Sequence, residues 1–260
     1  MKKLTQLLML SCGFAALSAS ADEGKIRFGL EALYPPFESK TANGALEGFD
    51  IDLGNAVCQA AKVKCEWVDT SFDSLIPGLQ SRKFDAINSA MNVTEKRRQA
   101  IDFTDVIYRV PSRLIARANS NLRPAAEALA GKNIGVLQGS IQESYAAAHW
   151  APHGVNVVPY QDQNQIYLDL TAGRLDGTLV LAPAGQSGFL SQPLGKGYAF
   201  VGDAVSDDKI LGSGIAFGIR KGDEALKQQL NKAIAEVKNR DTVSILSKKY
   251  FGDIDVSVPH

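Results

Sequence analysis

Short apolar, β-branched runs alternate with stretches of helical spacing along nearly the whole chain. Residues 25–30, 66–68, 84–89 and 112–117 read as strands. Between them, 49–62 has helical spacing, with Ile51, Leu53, Val57 and Cys58 on or near one face, and 72–82 and 95–100 are also helical. A second series follows: strands at 133–137, 155–159, 175–181 and 214–219, and helices at 142–150, 163–172, 223–239 and 242–250. Such alternation predicts α/β architecture with mainly parallel sheets and helices on both faces. Two βαβ series predict two lobes, and the cleft between them is the natural ligand site.

The N-terminus has a different pattern. Lys2 and Lys3 precede an apolar stretch from Leu7 to Leu17, and Ala19-Ser20-Ala21 supplies small residues for cleavage. This reads as a signal peptide over 1–21, too short to span a bilayer and removed on export to the periplasm. Cys12 leaves with it, since Met9-Leu10-Ser11 is a poor lipidation context. The remaining Cys58 and Cys65 read as a disulfide in an oxidising compartment. Closing so short a loop constrains the unfolded chain by ~2.5 kcal/mol. Zinc is the weaker alternative for this pair, because two cysteines with no nearby histidine cannot close a site.

Composition removes further classes. Lys plus Arg equals Asp plus Glu at 28 each, so no basic face for nucleic acid is implied. No later apolar run is long enough to cross a membrane. His149 and His153 have neither nucleophile nor metal spacing, and no G-x-S-x-G, H-E-x-x-H or P-loop occurs. Neither a cofactor nor a metal is expected.

Several stretches then fall into the order and spacing of one family. They are Tyr34-Pro35-Pro36-Phe37-Glu38, Gly48-Phe49-Asp50-Ile51-Asp52-Leu53, Phe72-Asp73-Ser74-Leu75-Ile76-Pro77 and Thr94-Glu95-Lys96-Arg97. Gly135-Val136-Leu137-Gln138-Gly139-Ser140, Asp169-Leu170-Thr171-Ala172-Gly173-Arg174-Leu175-Asp176 and Lys248-Lys249-Tyr250-Phe251 continue the series. Together they resemble the periplasmic lysine/arginine/ornithine- and histidine-binding proteins of polar-amino-acid ABC transporters. The resemblance implies a type II periplasmic binding protein fold hinged by two crossing segments. It places lobe one at 22–108 plus 212–260 and lobe two at 109–211. It also implies a monomer that serves a membrane permease, and the Cys58–Cys65 pair has its counterpart there.

The resemblance carries roles onto single positions. Arg97 matches the family's carboxylate clamp, where a planar guanidinium grips with two parallel hydrogen bonds. Ser140, after Gly139, opens a helix and offers a second grip from lobe two. Tyr34 and Phe72 match aromatics that sandwich the ligand side chain, and Ser89, Leu137 and Gln142 complete the lining. Glu31 stands where basic-amino-acid binders carry an aspartate facing the distal cation. Departures cluster at the α-ammonium: Leu181 replaces an aspartate, and Asn92, Ile141 and Ala90 replace hydroxyl residues.

Removing one partner of a buried charge pair costs about 3–5 kcal/mol. The expected ligand is therefore an amino-acid-like carboxylate with a distal cation but no α-ammonium, such as 4-aminobutyrate, 5-aminovalerate or 4-guanidinobutyrate. A basic α-amino acid (lysine, arginine, ornithine or histidine) is the alternative, and an opine-like conjugate a further one. A dehydratase on the same scaffold is a remote alternative, because Leu181 removes its obvious acid.

Overall fold

The computed structural model describes residues 24–252 and 254–258. The signal segment 1–21, Cys12 included, lies outside the described residues. The chain opens with β1 (Lys25–Leu30) and three short strands, β2 (Leu33–Tyr34), β3 (Glu38–Lys40) and β4 (Leu46–Glu47). Helix α1 (Phe49–Ala61) and β5 (Lys64–Asp69) follow. A 3-10 turn at Phe72–Ser74 enters α2 (Leu75–Gln80), before β6 (Ala86–Ile87), α3 (Glu95–Arg98) and β7 (Asp102–Phe103).

After a first crossing come β8 (Ser112–Arg117), α4 (Ala126–Leu129), β9 (Asn133–Leu137), α5 (Ile141–His149) and β10 (Asn156–Tyr160). Then α6 (Gln163–Thr171), β11 (Gly177–Leu181), α7 (Ala182–Gly185), β12 (Tyr198–Phe200) and α8 (Asp208–Leu211) complete the second series. The chain crosses back to β13 (Gly218–Ile219), α9 (Glu224–Asn239) and α10 (Thr242–Phe251).

Two five-stranded sheets result, ordered β5-β1-β6-β13-β7 and β10-β9-β11-β8-β12, beside a small β2-β3-β4 sheet. The α/β, two-lobed class holds, but the large sheets are mixed rather than mainly parallel. β1 runs parallel to β5 and β6, and β9 to β10 and β11. β13 and β8, the strands that follow the two crossings, are antiparallel to their neighbours. Each enters its sheet from the opposite lobe, without the helical crossover that a parallel neighbour needs. The expected strand at 214–219 keeps only Gly218–Ile219; before it, Ile215 bridges Asn92 and Tyr108 in the crossing itself.

Amphipathic spacing explains the packing. On α9, Leu230, Ala233, Ile234 and Val237 are buried, one stripe at i, i+3, i+4 and i+7. That stripe lies on α1, which buries Phe49, Ile51, Leu53, Val57 and Cys58. Full burial of each large side chain contributes about 1.5–3 kcal/mol. Phe251 packs on Phe37 and Phe49 at 5.3 and 4.8 Å, while Lys249 and Tyr250 both donate to Asp52 at 2.7 Å. The last helices thus return to lobe one. Cys58 and Cys65 are bonded, with Cα atoms 5.8 Å apart, and join the end of α1 to β5.

Candidate functional site

Eleven of the twelve residues singled out from the sequence line one enclosed cavity between the lobes: Tyr34, Phe72, Ser89, Ala90, Asn92, Arg97, Leu137, Ser140, Ile141, Gln142 and Leu181. They converge because β1, β6, β9 and β11 all point their C-terminal ends at the cleft, the usual ligand side of α/β sheets. The cavity has a volume of about 20 Å3. A single water fits. An amino acid enters only when the lobes part.

Arg97 is 8% exposed. Thr94 caps its short helix by accepting from the Arg97 amide at 3.2 Å, which turns the guanidinium inward. Nη1 donates to the Asn92 carbonyl at 2.8 Å, and Nη2 crosses the cleft to the Gly139 carbonyl at 3.1 Å. The Phe72 ring lies 5.4 Å below the charge, a cation–π contact. No carboxylate among the described residues pairs with it, and burial lowers its pKa to about 10. It is a dehydrated cation with neutral partners only.

Across the cleft two side-chain caps hold the start of α5, Glu143 reaching back past the N-cap Ser140 to the Gly139 amide. Ser140 accepts from the Glu143 amide at 3.0 Å, and the Glu143 carboxylate accepts from the Gly139 amide at 2.6 Å. Gly139 has φ +76°, and a Cβ there would meet the Asp73 backbone at 3.1 Å. Its carbonyl is thereby free to face Arg97. Gln142 donates to Ser112 at 2.8 Å, tying α5 to β8.

Glu31 stands just behind the lining. Its amide donates to Ser89 Oγ at 3.1 Å, and its side chain is buried without a cationic partner among the described residues. Burial, with Asp162, Asp69 and Asp73 nearby, pushes its pKa up to about 8. Tyr34 stacks on Phe37 at 5.8 Å, and its hydroxyl accepts from the Leu181 amide at 3.3 Å, a second bond between the lobes.

Leu181 and Ile141 are 3% and 5% exposed. None of the cavity-lining residues carries a carboxylate. The sequence reading missed what lies beneath the lining. Ser89 Oγ donates to buried Glu38 at 2.6 Å, while Asp50 accepts from the Ala90 amide and the Tyr108 hydroxyl, each at 2.7 Å. Asp50 thereby holds Ala90 at φ +45°, unusual for a residue with a side chain. Burial raises both acids, Asp50 to about 6 and Glu38 well above the usual carboxylate range. Both acids sat inside recognised motifs, but nothing local in the sequence signals that they meet.

A cleft between two α/β lobes, with a buried and unpaired guanidinium on its wall, is the arrangement of a binding protein for small solutes. The chain belongs to family 3 of the bacterial extracellular solute-binding proteins, whose sequence pattern matches residues 26–253. It is 47% identical over 258 residues to the histidine-binding periplasmic protein of Salmonella typhimurium, covering 98% of this chain and 99% of that one. The lysine/arginine/ornithine-binding periplasmic protein of Escherichia coli is 47% identical over 253 residues, 96% of this chain and 97% of its own. Among solved structures, an ancestral arginine-binding protein bound to arginine aligns with a TM-score of 0.81 at 31% identity, over 88% of this chain and 99% of that chain. This chain is therefore a periplasmic solute-binding protein for polar amino-acid-type ligands, partner to an ABC permease, and not an enzyme.

Proposed function

We propose that the protein captures a solute with a carboxylate at one end and a cation at the other, and hands it to its permease. The observation that carries this reading is the buried Arg97 guanidinium on the cleft wall, unpaired by any carboxylate among the described residues, with the buried Glu31 carboxyl just behind the lining at Ser89. Burying a charge is costly unless it is paired. The ligand supplies both partners: its carboxylate meets Arg97 and the Ser140 turn, its chain lies between Tyr34 and Phe72, and its distal cation faces Glu31. Ser89, Ala90, Asn92, Leu137, Ile141, Gln142 and Leu181 close the walls. Residues 22–108 and 212–260 move as one lobe and 109–211 as the other, in a monomer that does not bind nucleic acid.

Two ligand sets satisfy this polarity. The relatives' names, histidine-binding and lysine/arginine/ornithine-binding, favour a basic α-amino acid. Leu181 and Ile141, in a lining without a carboxylate, favour a ligand lacking the α-ammonium, such as 4-aminobutyrate, 5-aminovalerate or 4-guanidinobutyrate. Calorimetric titration with arginine, lysine, ornithine and histidine beside those three acids separates the sets. Binding of either set supports the shared polarity. Tight binding of arginine overturns the second reading, and no binding from either set overturns both.

A further inference from the structure

A second cavity, of about 440 Å3, lies beside the two crossing segments. Its size falls within the usual range for small-molecule sites. Its lining meets that of the enclosed cavity at Asn92 and Ile141 alone. That shared wall is where the α-carbon of a bound solute comes to lie. Arg97 Nη1 donates to the Asn92 carbonyl at 2.8 Å, and Ile141 follows Ser140 in the chain. A carboxylate held between Arg97 and Ser140 therefore sets its neighbouring carbon against Asn92 and Ile141. Asn92 is 6% exposed, and its side-chain amide makes no hydrogen bond among the described residues. A buried amide left without partners is costly, so this one is poised for a polar group of the ligand.

The charges beyond the shared wall decide what that group carries. Arg109, Asp207 and Asp208 line the second cavity, two carboxylates against one guanidinium. Arg109 Nε donates to the Ser213 carbonyl at 2.6 Å. Asp207 is held by His149 at 2.7 Å and by the α8 amides of Lys209 and Ile210. Asp208 remains for a ligand cation.

We propose that the cleft takes amino acids acylated on the α-nitrogen, above all dipeptides whose C-terminal residue is basic. This rests on the polarity proposed above and adds a group at the α-nitrogen. The carboxylate stays at Arg97 and Ser140, and the distal cation faces Glu31. The α-nitrogen is now a neutral amide, which Leu181 and Ile141 accept without a counter-charge. Asn92 Oδ1 accepts from its N–H. The N-terminal residue lies in the second cavity, with its ammonium toward Asp208. Such a solute keeps the basic side chain that the relatives' names suggest and needs no carboxylate at Leu181.

Calorimetry on the full mature protein tests this with four solutes of one side chain: 5-guanidinopentanoate, arginine, Nα-acetylarginine and glycylarginine. Glycylarginine is expected to bind ~10-fold or more tightly than 5-guanidinopentanoate, and arginine more weakly than either. Nα-acetylarginine, which has the amide but no second ammonium, falls between glycylarginine and 5-guanidinopentanoate. Ser206→Trp fills the second cavity from an exposed position outside the enclosed one. It removes the gain and leaves affinity for 5-guanidinopentanoate within about twofold. Asp208→Asn narrows the gap between glycylarginine and Nα-acetylarginine, and it serves should the first variant fold poorly. Glycylarginine that binds no better than 5-guanidinopentanoate or arginine overturns the proposal. So does a gain that survives Ser206→Trp, or a gap that Asp208→Asn leaves unchanged. In each of these cases binding of 5-guanidinopentanoate leaves the polarity standing. Should none of the four bind, the polarity itself is wrong, and the proposal falls with it.

Discussion

Lobe one brings the buried Arg97 guanidinium to the cleft, with the Glu31 carboxyl behind its Ser89 wall, whereas lobe two brings the Gly139 carbonyl, the Leu181 amide, the polar Ser140 and Gln142, and apolar Leu137, Ile141 and Leu181. The difference separates two tasks. The Arg97 charge in lobe one draws the ligand's carboxylate before contact, and Glu31 takes up its charge only when a ligand cation arrives beside it. Lobe two adds short-range groups that act only on closure and reject what does not fit. In the closed form its carbonyl and amide already bond Arg97 and Tyr34. The ligand therefore competes with interlobe hydrogen bonds for the same donors and acceptors.

The largest test removes the lobe-one anchor. Arg97→Met is expected to weaken any carboxylate ligand by about 3–5 kcal/mol, more than a hundredfold. It also relieves a buried charge, so the unliganded variant should melt no lower than the parent protein. Arg97→Lys should fall between, since a point charge cannot reproduce the two-pronged grip. Unchanged affinity in calorimetry would assign the anchor to another residue and erase the contrast between lobes.

The next test writes a lobe-one property into lobe two. Leu181→Asp places a carboxylate on the apolar wall, where it can meet an α-ammonium. Preference should move toward α-amino acids by up to a few kcal/mol, less if Asn92 and Ile141 misplace the ammonium. Ligands without that ammonium should bind more weakly, because the new carboxylate is buried unpaired. Paired titrations of both proteins with arginine and with 4-guanidinobutyrate measure the shift. Parallel changes for both ligands would remove Leu181 from specificity.

Much of this was legible in the sequence because the relevant groups sit at strand ends and helix starts, where a few consecutive residues set position. Thr94 and Arg97 share one cap, and Ser140 and Glu143 share another. The β8 and β9 strands match their apolar runs at 112–117 and 133–137. What escaped depends on contacts between distant segments. β7 is two residues long, too short for any period to register, while β6 and β13 keep only two residues each of the expected strands at 84–89 and 214–219. The antiparallel direction of β8 and β13 follows from crossings between lobes, which hydrophobic pattern does not encode. The Glu38 and Asp50 acids meet only because Ser89, Ala90 and Tyr108 are brought over them by the fold.

The smallest expected effect concerns protons at Glu31. Asp162, Asp69 and Asp73 face it; Asp69 is itself paired with Lys40, and none of the three brings a compensating positive charge. With a pKa near 8, raised by burial first and by those acids second, Glu31 carries a proton at pH 7 in the unliganded protein. A cationic ligand group beside it favours the carboxylate, so binding releases that proton. Affinity for such a ligand then rises with pH, by about fivefold between pH 7 and pH 8, and levels off above. For folding the sign is opposite. A carboxyl whose native pKa is raised stabilises the native state fully below its unfolded value of about 4.5, and that contribution is lost as pH rises through 8. The unliganded protein should therefore lose this part of its stability across pH 5–8, while bound ligand restores it. Titrations at pH 7 in two buffers of different ionisation enthalpy read the released proton directly. Glu31→Gln should abolish both the release and the rise in affinity with pH. A pH-independent affinity in the parent protein, for a ligand that keeps its cation throughout, would mean that the distal charge is held elsewhere and that lobe one contributes Arg97 alone.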